Sequence, residues 1–371
     1  MSWIYEKLLR PALFGLSAET AHEIGIESLR AGLSSEIAQR LAAAQFAAPM
    51  FGPVERFGLS FSSPLGVAAG FDKNGRVVNQ LASLGFGFVE VGTITYEPQP
   101  GNEKPRLFRL PADNALINRL GFNNDGAEAV VARLRKIDPK CVLGVNIGKN
   151  KDVPNEHATE NYLKSFDLAH PVADYIAVNI SSPNTPNLRE LQRAENLEEL
   201  LSALQNRNSE LGAKPLLVKI APDLSEPEII QIVDICRRLE IAGIIATNTT
   251  IKRDNLKTPD PDRFGSGGLS GMPLRTRSNE VISIIYRESG GKLPVIGVGG
   301  IFTAQDAFDK IAAGASLIQA YTGFIYNGIS FAKKINQGLA EILHQKGYSS
   351  IDEAVGIAAA TNRQPSSGLT L

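Results

Sequence analysis

The sequence predicts a closed (β/α)8 TIM barrel that carries a small N-terminal helical cap. Eight short apolar runs, rich in β-branched residues, follow the first fifty residues, and helical patterns separate them. The runs are almost continuously apolar, which is typical of parallel strands that are buried on both faces. Because eight strand–helix repeats close into one barrel, we expect a single barrel in this 371-residue chain.

The predicted elements alternate along the chain. The strands are expected at residues 65–70, 88–95, 143–149, 175–182, 216–223, 243–250, 294–300 and 317–323, each ending in or near Gly, Asn, Thr or Lys. Helical patterns cover residues 125–136, 197–211, 225–239 and 303–313, and the predicted N-caps among them are Asp125, Ser225 and Thr303.

Three parts of the chain depart from the simple strand–helix repeat. Two connections, 95–143 and 250–294, are unusually long and follow carboxyl ends of strands, where barrel active sites lie, so they are candidates for lids or pocket walls. From Ala354 onward the chain loses periodicity and gains Ser, Pro and Gly, which predicts a frayed or disordered tail. The expected division is therefore a cap at 1–45, a barrel at 46–345 and a tail at 346–371.

The first forty residues predict the helical cap. Ile4, Leu8 and Ala12 form a short helical stripe that Pro11 should kink or end, and Ser17 can cap a second helix. On that second helix one apolar face is formed by His22, Ile26, Leu29 and Leu33. A lone histidine on such a face is ordinarily a core residue that is satisfied by one hydrogen bond.

Composition excludes several classes of function. The formal net charge is −1 and no run of like charge occurs, which argues against nucleic-acid binding. Cys141 and Cys236 lie far apart, and the four histidines lack metal-ligand spacing, so we expect neither disulfides nor a metal. No apolar run approaches the roughly 20 residues that span a bilayer, and the start does not resemble a secretory signal, so we expect the mature chain to begin near Met1 in a reducing compartment.

The most informative segment is Val-Asn-Ile-Ser-Ser-Pro-Asn-Thr-Pro at residues 178–186. An apolar strand ends there in amides, hydroxyls and two prolines, which indicates a stiff polar rim of an active site. Other unusual stretches are AAGFDKNG at 68–75, KPRLFRL at 104–110, NRLGFN at 118–123 and GGLSG at 267–271.

A phosphate site is indicated where the last two predicted strands end. Gly299 and Gly300 follow the seventh strand, and Tyr321, Thr322 and Gly323 follow the eighth. Glycine lets backbone N–H groups approach an anion, and a helix beginning at Thr303 would add a favourable dipole. By themselves these glycines could equally serve tight turns.

Together these motifs resemble those of the dihydroorotate dehydrogenases, and in particular of the quinone-dependent class 2 branch, from the first residues to about Gly328. The resemblance implies FMN as cofactor, with Lys219 near the pyrimidine end of the flavin. The residues that match the flavin contacts of the family are Ala69, Gly70, Thr93, Asn146, Asn179, Lys219, Thr247, Gly271, Gly300, Tyr321 and Thr322. From sequence alone, Lys219 could instead be a salt-bridge partner.

The resemblance also implies a site for dihydroorotate, an anionic, amide-rich ring that requires a cation and neutral hydrogen-bonding groups. The matching residues are Lys73, Asn118, Arg119, Leu120, Gly121, Phe122, Asn179, Asn184, Asn248 and Thr249. In the family a proton leaves C5 and a hydride passes from C6 to the flavin, and Ser182 matches the position of the base. Thr185 is either a proton relay or a turn hydroxyl.

The N-terminal cap of the class 2 branch forms a tunnel through which a membrane quinone reaches the flavin. Ala-His-Glu at 21–23 matches its pattern, which implies quinone contacts for His22 and for Arg106, whereas Arg109 could be an ordinary surface pair. Up to Arg40 there are four basic and five acidic residues, so membrane contact must rest on apolar side chains. The expected set is Trp3, Ile4, Leu8, Leu9, Leu13 and Phe14.

The resemblance thus implies a peripheral enzyme on the cytoplasmic side of the cell inner membrane, in pyrimidine synthesis. Asn187 replaces a usual Gly and Ile329 a usual Pro, and neither position carries chemistry. Two alternatives remain: the same oxidation with a soluble acceptor such as fumarate or NAD, against which Ser182 and the cap argue, and a phosphate-binding barrel without redox chemistry. Sister enzymes with soluble acceptors typically have cysteine where this chain has Ser182.

Overall fold

The computed structural model describes residues 5–47, 51 and 54–361, and most of them form strands and helices. The strands are β1 (Val54–Arg56), β2 (Leu59–Phe61), β3 (Leu65–Val67), β4 (Phe88–Ile94), β5 (Leu107–Leu110), β6 (Ala115–Asn118), β7 (Val142–Ile147), β8 (Tyr175–Asn179), β9 (Leu216–Ile220), β10 (Gly243–Ala246), β11 (Gly268–Gly271), β12 (Val295–Val298) and β13 (Leu317–Ala320).

Eight of these strands close into a parallel barrel in the order β3, β4, β7, β8, β9, β10, β12, β13 and back to β3. The predicted fold class is therefore confirmed. Nearly every residue of these strands is buried, as the continuous apolar runs predicted. Each strand is shorter than its predicted run, because the last residues of the run, which are mostly polar or small, leave the sheet and form the rim of the barrel.

Helices surround the barrel and form the cap. They are α1 (Arg10–Phe14), α2 (Ala18–Gly32), α3 (Glu36–Phe46), α4 (Val78–Ala82), α5 (Ala127–Leu134), α6 (Ala158–Ala169), α7 (Ala194–Leu211), α8 (Glu226–Arg238), α9 (Arg275–Glu288), α10 (Ala304–Ala312), α11 (Thr322–Asn327), α12 (Phe331–Gln345) and α13 (Ile357–Thr361).

Two of the three N-caps that were predicted for barrel helices are confirmed. Ser225 and Thr303 each form a capping box with the acidic residue three positions later. The prediction for Asp125 is wrong: α5 begins after Gly126, and the Asp125 carboxylate instead pairs with Arg133 at 3.0 Å. An acidic residue near a helix start can accept from the first backbone amides of the helix or pair with a basic side chain, and the sequence does not show which of the two it does.

The two long connections meet in a separate three-stranded antiparallel sheet. The first connection supplies β5 and β6, and the second supplies β11, which pairs with β6. This sheet has its own small apolar core of Leu110, Ala115, Ile117 and Leu269. Because Asn118 and Gly271 of this sheet line the main cavity of the barrel, the connections are pocket walls, as predicted.

The cap consists of a π-helical turn at Tyr5–Leu9 followed by α1, α2 and α3. Pro11 does not end the helix. It lies in the first turn of α1, where the π-helical turn gives way to an α-helix. Ser17 caps α2 by accepting a hydrogen bond from the Thr20 amide at 3.1 Å, as predicted. Ile26 is buried at 4% exposure. Leu29 and Leu33 also pack against the core, whereas Ile4 lies outside the described residues.

Three arginines of the barrel fasten the cap. Arg109 donates to the backbone carbonyls of Leu13, Phe14, Leu16 and Ser17 at 2.8–3.3 Å and lies over the Phe14 ring at 4.6 Å. Arg106 pairs with Glu19 at 2.8 Å. Arg76 pairs with Glu23 and Glu27 on the same helix, α2. Arg109 is thus not an ordinary surface pair, because it binds backbone carbonyls at the end of α1 and in the turn that joins α1 to α2.

The C-terminal segment is folded further than expected. Ile351, Ala354 and Ala359 are all at most 2% exposed, and the Gly356 amide donates to the Ile311 carbonyl at 3.0 Å. The predicted fraying is therefore wrong for the chain up to Ala359, where small apolar side chains pack on the barrel helices. Residues 362–371 lie outside the described part of the chain.

We expect Arg109→Met to loosen the cap while the barrel stays folded. The substitution keeps an apolar side chain but removes the donors to four carbonyl groups. Amide hydrogen exchange in residues 5–32 should accelerate about tenfold or more, since hydrogen bonds from charged groups are individually strong. Arg30→Met removes only an exposed helix pair and is the control. Equal exchange rates in both variants would contradict this role of Arg109.

Candidate functional site

One large cavity opens where the carboxyl ends of the barrel strands meet the antiparallel sheet. Its volume is about 1010 Å³ including solvent at the mouth, at the upper end of typical small-molecule sites. The predicted residues that line it are Ala69, Gly70, Lys73, Thr93, Asn118, Leu120, Gly121, Phe122, Asn179, Ser182, Asn184, Lys219, Thr247, Asn248, Thr249, Gly271, Gly300, Tyr321 and Thr322. Residues that were predicted from widely separated motifs therefore share one cavity.

The glycines on one side of the cavity have no space for a side chain. Gly300 has φ +74°, and a Cβ there would lie 2.3 Å from the Cβ of Arg275. Gly271 has φ +103°, and its Cβ would lie 2.3 Å from the Asn114 carbonyl oxygen. Both glycines are therefore required by their positive φ and by the close approach of Arg275 and Asn114, and both line the cavity. Beside them the Ser270 and Thr322 hydroxyls share a hydrogen bond of 2.8 Å.

The expected contribution of the α10 N-terminus to phosphate binding is wrong. The Asp306 carboxylate accepts hydrogen bonds from the Phe302 and Thr303 amides at 3.0 and 2.9 Å. These amides are therefore satisfied within the capping box, and a carboxylate lies where the dipole would have favoured an anion. The candidate phosphate site is therefore the part of the cavity that Gly300 and Thr322 line.

The floor of the cavity contains one buried cation. Lys219 is 5% exposed, and its ammonium lies 3.9 Å from the carboxylate of Glu90, which is fully buried. Burial lowers the pKa of Lys219, and the charge of Glu90 opposes that shift. Lys219 is therefore a salt-bridge partner that also lines the cavity, and its contact with a flavin stays a prediction.

Amide and hydroxyl side chains form the wall between the floor and the rim. Thr93 donates to the Asn146 side chain at 2.5 Å and accepts from the Asn179 amide at 2.9 Å. Asn248 in turn donates to Asn179 at 3.2 Å and to Ser181 at 2.9 Å. Asn146 does not line the cavity; it is fully buried behind Thr93 and acts on the wall through that hydroxyl.

The outer part of the cavity combines a cation with neutral amides. Burial lowers the pKa of Lys73 to about 8, although Glu19 and Glu23 oppose the shift, so the ammonium form dominates near neutral pH. Across the mouth, Asn184 donates to the Asn118 side-chain oxygen at 3.0 Å. This composition suits a small anionic ring that carries amide groups.

Ser182 lies at this rim. It is 5% exposed and its hydroxyl accepts a hydrogen bond from the Asn184 amide at 3.2 Å. Thr185 is also buried, and its hydroxyl has no partner among the described residues, which is compatible with either predicted role. Asn187 adopts a left-handed conformation with φ +55°, so it accommodates the backbone that glycine usually provides here.

Arg119 lies beside the cavity without lining it. Its guanidinium donates to the carbonyls of Phe264 and Pro105 and lies 4.8 Å from the centre of the Phe108 ring. The structure therefore gives Arg119 a position that fastens the loop, and the contact to the cavity comes from the next residues, Leu120 to Phe122.

The two residues predicted for the quinone lie between cap and cavity. The His22 ring packs edge-on against Phe71 at 5.1 Å, and Phe71 packs against Tyr321, which lines the cavity. Burial, together with the charge of Lys73, lowers the pKa of His22 to about 3. Arg106 is 6% exposed, and besides Glu19 it donates to the Pro100 and Asn102 carbonyls at 2.5 and 2.8 Å. It therefore joins the cap to the first long connection.

Sequence reasoning missed several residues. Gln319 and Ser270 line the cavity, and Glu90 and Tyr175 lie beneath it. A signal existed for Glu90 and Gln319, because a charged or amide residue inside an otherwise apolar buried strand requires a partner. Within the described residues there is no acidic, histidine or cysteine cluster that could hold a metal, and no helix long and apolar enough to cross a membrane.

Comparison with known proteins adds the family. Residues 53–343 match the family model described as dihydroorotate dehydrogenase. The chain belongs to the dihydroorotate dehydrogenase family. It is 47% identical over 366 residues, 97% of its length, to dihydroorotate dehydrogenase (quinone) of Mycobacterium marinum, and covers 99% of that relative. To the enzyme of the same name from Christiangramia forsetii it is 50% identical over 341 residues, 91% of this chain and 99% of the relative.

Solved structures agree with the barrel and the cap. The dihydroorotate dehydrogenase of Eimeria tenella in complex with ferulenol superposes with a TM-score of 0.82 at 36% identity, covering 93% of this chain and 98% of the other. Its ligand-free form gives a TM-score of 0.79 at 38% identity, covering 89% and 99%. The predicted family is therefore confirmed.

Proposed function

We propose that the protein oxidises (S)-dihydroorotate to orotate with FMN as hydride acceptor and a membrane quinone as final electron acceptor, in de novo pyrimidine (UMP) synthesis. The observation that carries this proposal is the juxtaposition of Ser182, the amide shell and Lys73 at the rim of a cavity with Lys219 in its floor. The relatives named dihydroorotate dehydrogenase (quinone) support the same substrate and acceptor.

The residues of the cavity fit FMN. The glycine-lined side would offer backbone N–H groups to a phosphate, and the floor would offer the Lys219 cation to a polar ring. Bound there, FMN would supply the electron sink that no side chain provides. Lys219, Thr93, Asn179 and Thr247 would hold its ring, while Gly300, Tyr321 and Thr322 would hold its phosphate end.

Dihydroorotate would bind at the outer part of the cavity. Lys73 would pair with its carboxylate, and Asn118, Asn184, Asn248 and Thr249 would pair with its amide edges. Orientation by several neutral groups fixes the ring without adding charge, which keeps the C5 hydrogen directed at one residue. Ser182 would take the proton from C5, and the buried Thr185 hydroxyl, which has no partner among the described residues, would be free to accept it next.

The path of the quinone would run between α2 and the barrel. The aromatic contacts from His22 through Phe71 to Tyr321 connect the cap with the cavity. The pKa of about 3 for His22, which burial and the charge of Lys73 produce, leaves its ring neutral near pH 7, and a neutral ring suits an apolar ligand. Arg106 would contribute by holding α2 at the entrance, through Glu19.

The membrane-facing surface differs from the one predicted. Leu8 and Leu9 are 58% and 52% exposed, as expected, whereas Leu13 and Phe14 are half-buried and Phe14 packs edge-on against Tyr326; Trp3 and Ile4 lie outside the described residues. Instead α3 exposes Ile37 and Leu41, at 72% and 68%. Exposed apolar side chains on consecutive cap helices fit peripheral insertion into a bilayer. We place the protein at the cytoplasmic face of the inner membrane.

Anaerobic mixing of the purified protein with dihydroorotate tests the proposal. Visible flavin absorbance should bleach and should recover when a short-chain quinone is added. Recovery with fumarate or NAD alone would favour the soluble-acceptor alternative. A protein that stays colourless when FMN is added would favour a barrel without redox chemistry and would reject the proposal.

Ser182→Ala should slow this bleaching by about 10²-fold or more, the usual contribution of a positioned base, with flavin content unchanged. Single-turnover stopped flow would measure the rate. Ser283→Ala, on the outward helix α9, is the control because its hydroxyl serves only the Ala313 carbonyl. Bleaching at the wild-type rate in Ser182→Ala would assign the proton to another group.

Replacing both Ile37 and Leu41 by Glu should weaken sedimentation with neutral phosphatidylcholine vesicles by about tenfold or more, because burying one such side chain is worth about 1.5–3 kcal/mol. The same two substitutions at Leu211 and Ile251, which are exposed on the barrel, form the matched control. Oxidation of dihydroorotate with a short-chain quinone should be unchanged in both. Equal loss of vesicle binding in the control would contradict the proposal that the cap contacts the membrane.

A further inference from the structure

Glu90 is the buried charge on which the hydrogen bonds of the cavity wall depend. It lies in the middle of β4, is fully buried and does not line the cavity. Oε1 accepts from the Asn146 side-chain amide at 2.8 Å. Oε2 accepts from the Tyr175 hydroxyl at 3.0 Å and from the Gln319 side-chain amide at 2.8 Å. With Lys219 at 3.9 Å, every one of these neighbours is a donor or a cation.

An ionised carboxylate only accepts hydrogen bonds, so it fixes which end of each neighbouring amide faces it. Asn146 must turn its NH2 group to Glu90, which leaves its oxygen for the Thr93 hydroxyl. Thr93 then donates its only proton to Asn146 and must accept from Asn179. The direction of each bond thus follows from the one before it.

The same logic reaches the substrate part of the cavity. Because the Asn179 NH2 group faces Thr93, the Asn179 oxygen is left to accept from Ser181 at 2.9 Å and from Asn248 at 3.2 Å. Asn248 therefore turns its own oxygen to the Thr249 amide at 2.8 Å. On the other branch, Gln319 gives its NH2 group to Glu90 at 2.8 Å, and its oxygen is buried without a partner among the described residues.

We propose that Glu90 is a positioning residue: its carboxylate orients Asn146, Thr93, Asn179 and Asn248 in one direction and holds Lys219 as a cation under the ligand. Neither effect requires Glu90 to touch a ligand. An uncharged residue at position 90 could donate as well as accept, so two opposite orientations of the wall would become available. This inference rests on the proposed function for the identity of the ligand.

The first test is FMN binding to apoprotein, followed by fluorescence quenching, in Glu90→Gln and in Tyr175→Phe. Glu90→Gln keeps the shape but removes the charge, and we expect FMN to bind about tenfold more weakly, which corresponds to about 1.4 kcal/mol. Tyr175→Phe breaks one hydrogen bond to the same carboxylate but leaves the series from Asn146 to Asn248 intact. It should change FMN affinity by less than about threefold.

The second readout is the pH profile of flavin reduction by dihydroorotate. Glu90 favours the protonated form of Lys219, so its removal lets burial lower the pKa of Lys219 further. Lys73, whose pKa is about 8, contributes the same alkaline limb to every variant, so the difference from wild type reports on Lys219, and the limb should move to lower pH by about one unit or more in Glu90→Gln. It should stay in place in Tyr175→Phe and in Glu90→Asp, which keeps the charge.

The outcomes are distinguishable. Wild-type apoprotein that does not bind FMN would reject the proposed function, and the inference with it. Wild-type binding together with equal affinities and pH profiles for Glu90→Gln and Tyr175→Phe would overturn only the role of Glu90. If Glu90→Gln does not fold, neutron diffraction of the wild-type holoenzyme decides instead, because deuterium positions show whether Asn146 directs its NH2 group to Glu90 and Asn179 its NH2 group to Thr93. The reverse orientation of either amide would overturn the proposal.

Discussion

The parallel direction of the barrel strands is the constraint on which the site depends. Since all eight strands run the same way, every polar residue that follows a strand is delivered to the same end of the barrel. Lys219 and Asn179 are paired neighbours in the strand register although 40 residues separate them in the chain. The cavity therefore needs no specialised domain, only polar residues at the strand ends and a wall that closes over them.

A site built this way buries charged side chains, and in this barrel the free-energy cost of burial is offset because Lys219 is paired with Glu90. Lys219 and Glu90 would each be strongly unfavourable alone in an apolar interior, and together they are favourable only because the remaining lone pairs of Glu90 are satisfied. Pairing of this kind contributes little to net stability, and its value lies in fixing geometry. The pairing thus fixes the orientation of the polar groups in the floor.

Much of this could be predicted from sequence, and the failures have identifiable causes. Continuous apolar runs located all eight barrel strands, because burial on both faces leaves a strong pattern. The motif at 178–186 located Asn179, Ser182 and Asn184, but it could not show that Arg119, in a neighbouring motif, turns its side chain away from the cavity. The predicted caps Ser17, Ser225 and Thr303 are confirmed, and the prediction failed at Asp125, where Arg133 competes for the carboxylate.

Residues that act through others escaped prediction for a different reason. A motif lists residues that touch a ligand, whereas Glu90, Tyr175 and Gln319 come from three separate strands and meet only when the barrel closes. The helix α3 was missed as well, although Ser35 is a good N-cap, because its exposed face of Ile37 and Leu41 lacks the pattern of a helix that packs on a core.

The cap reconciles two opposing requirements. An apolar outer surface favours insertion into a bilayer, yet the same helices must stay aligned with the cavity mouth. Polar contacts resolve this: Arg76, Arg106 and Arg109 hold α1 and α2 from the barrel side, where the membrane does not compete for them. Burial would raise the pKa of Glu19, but the hydrogen bonds and charge of Arg106 bring it below its ordinary value, which shows that the pair stays ionised at the joint. Charged groups thus share the attachment of the cap with Ile26, Leu29 and Leu33, which pack on the core, while Ile37 and Leu41 stay exposed.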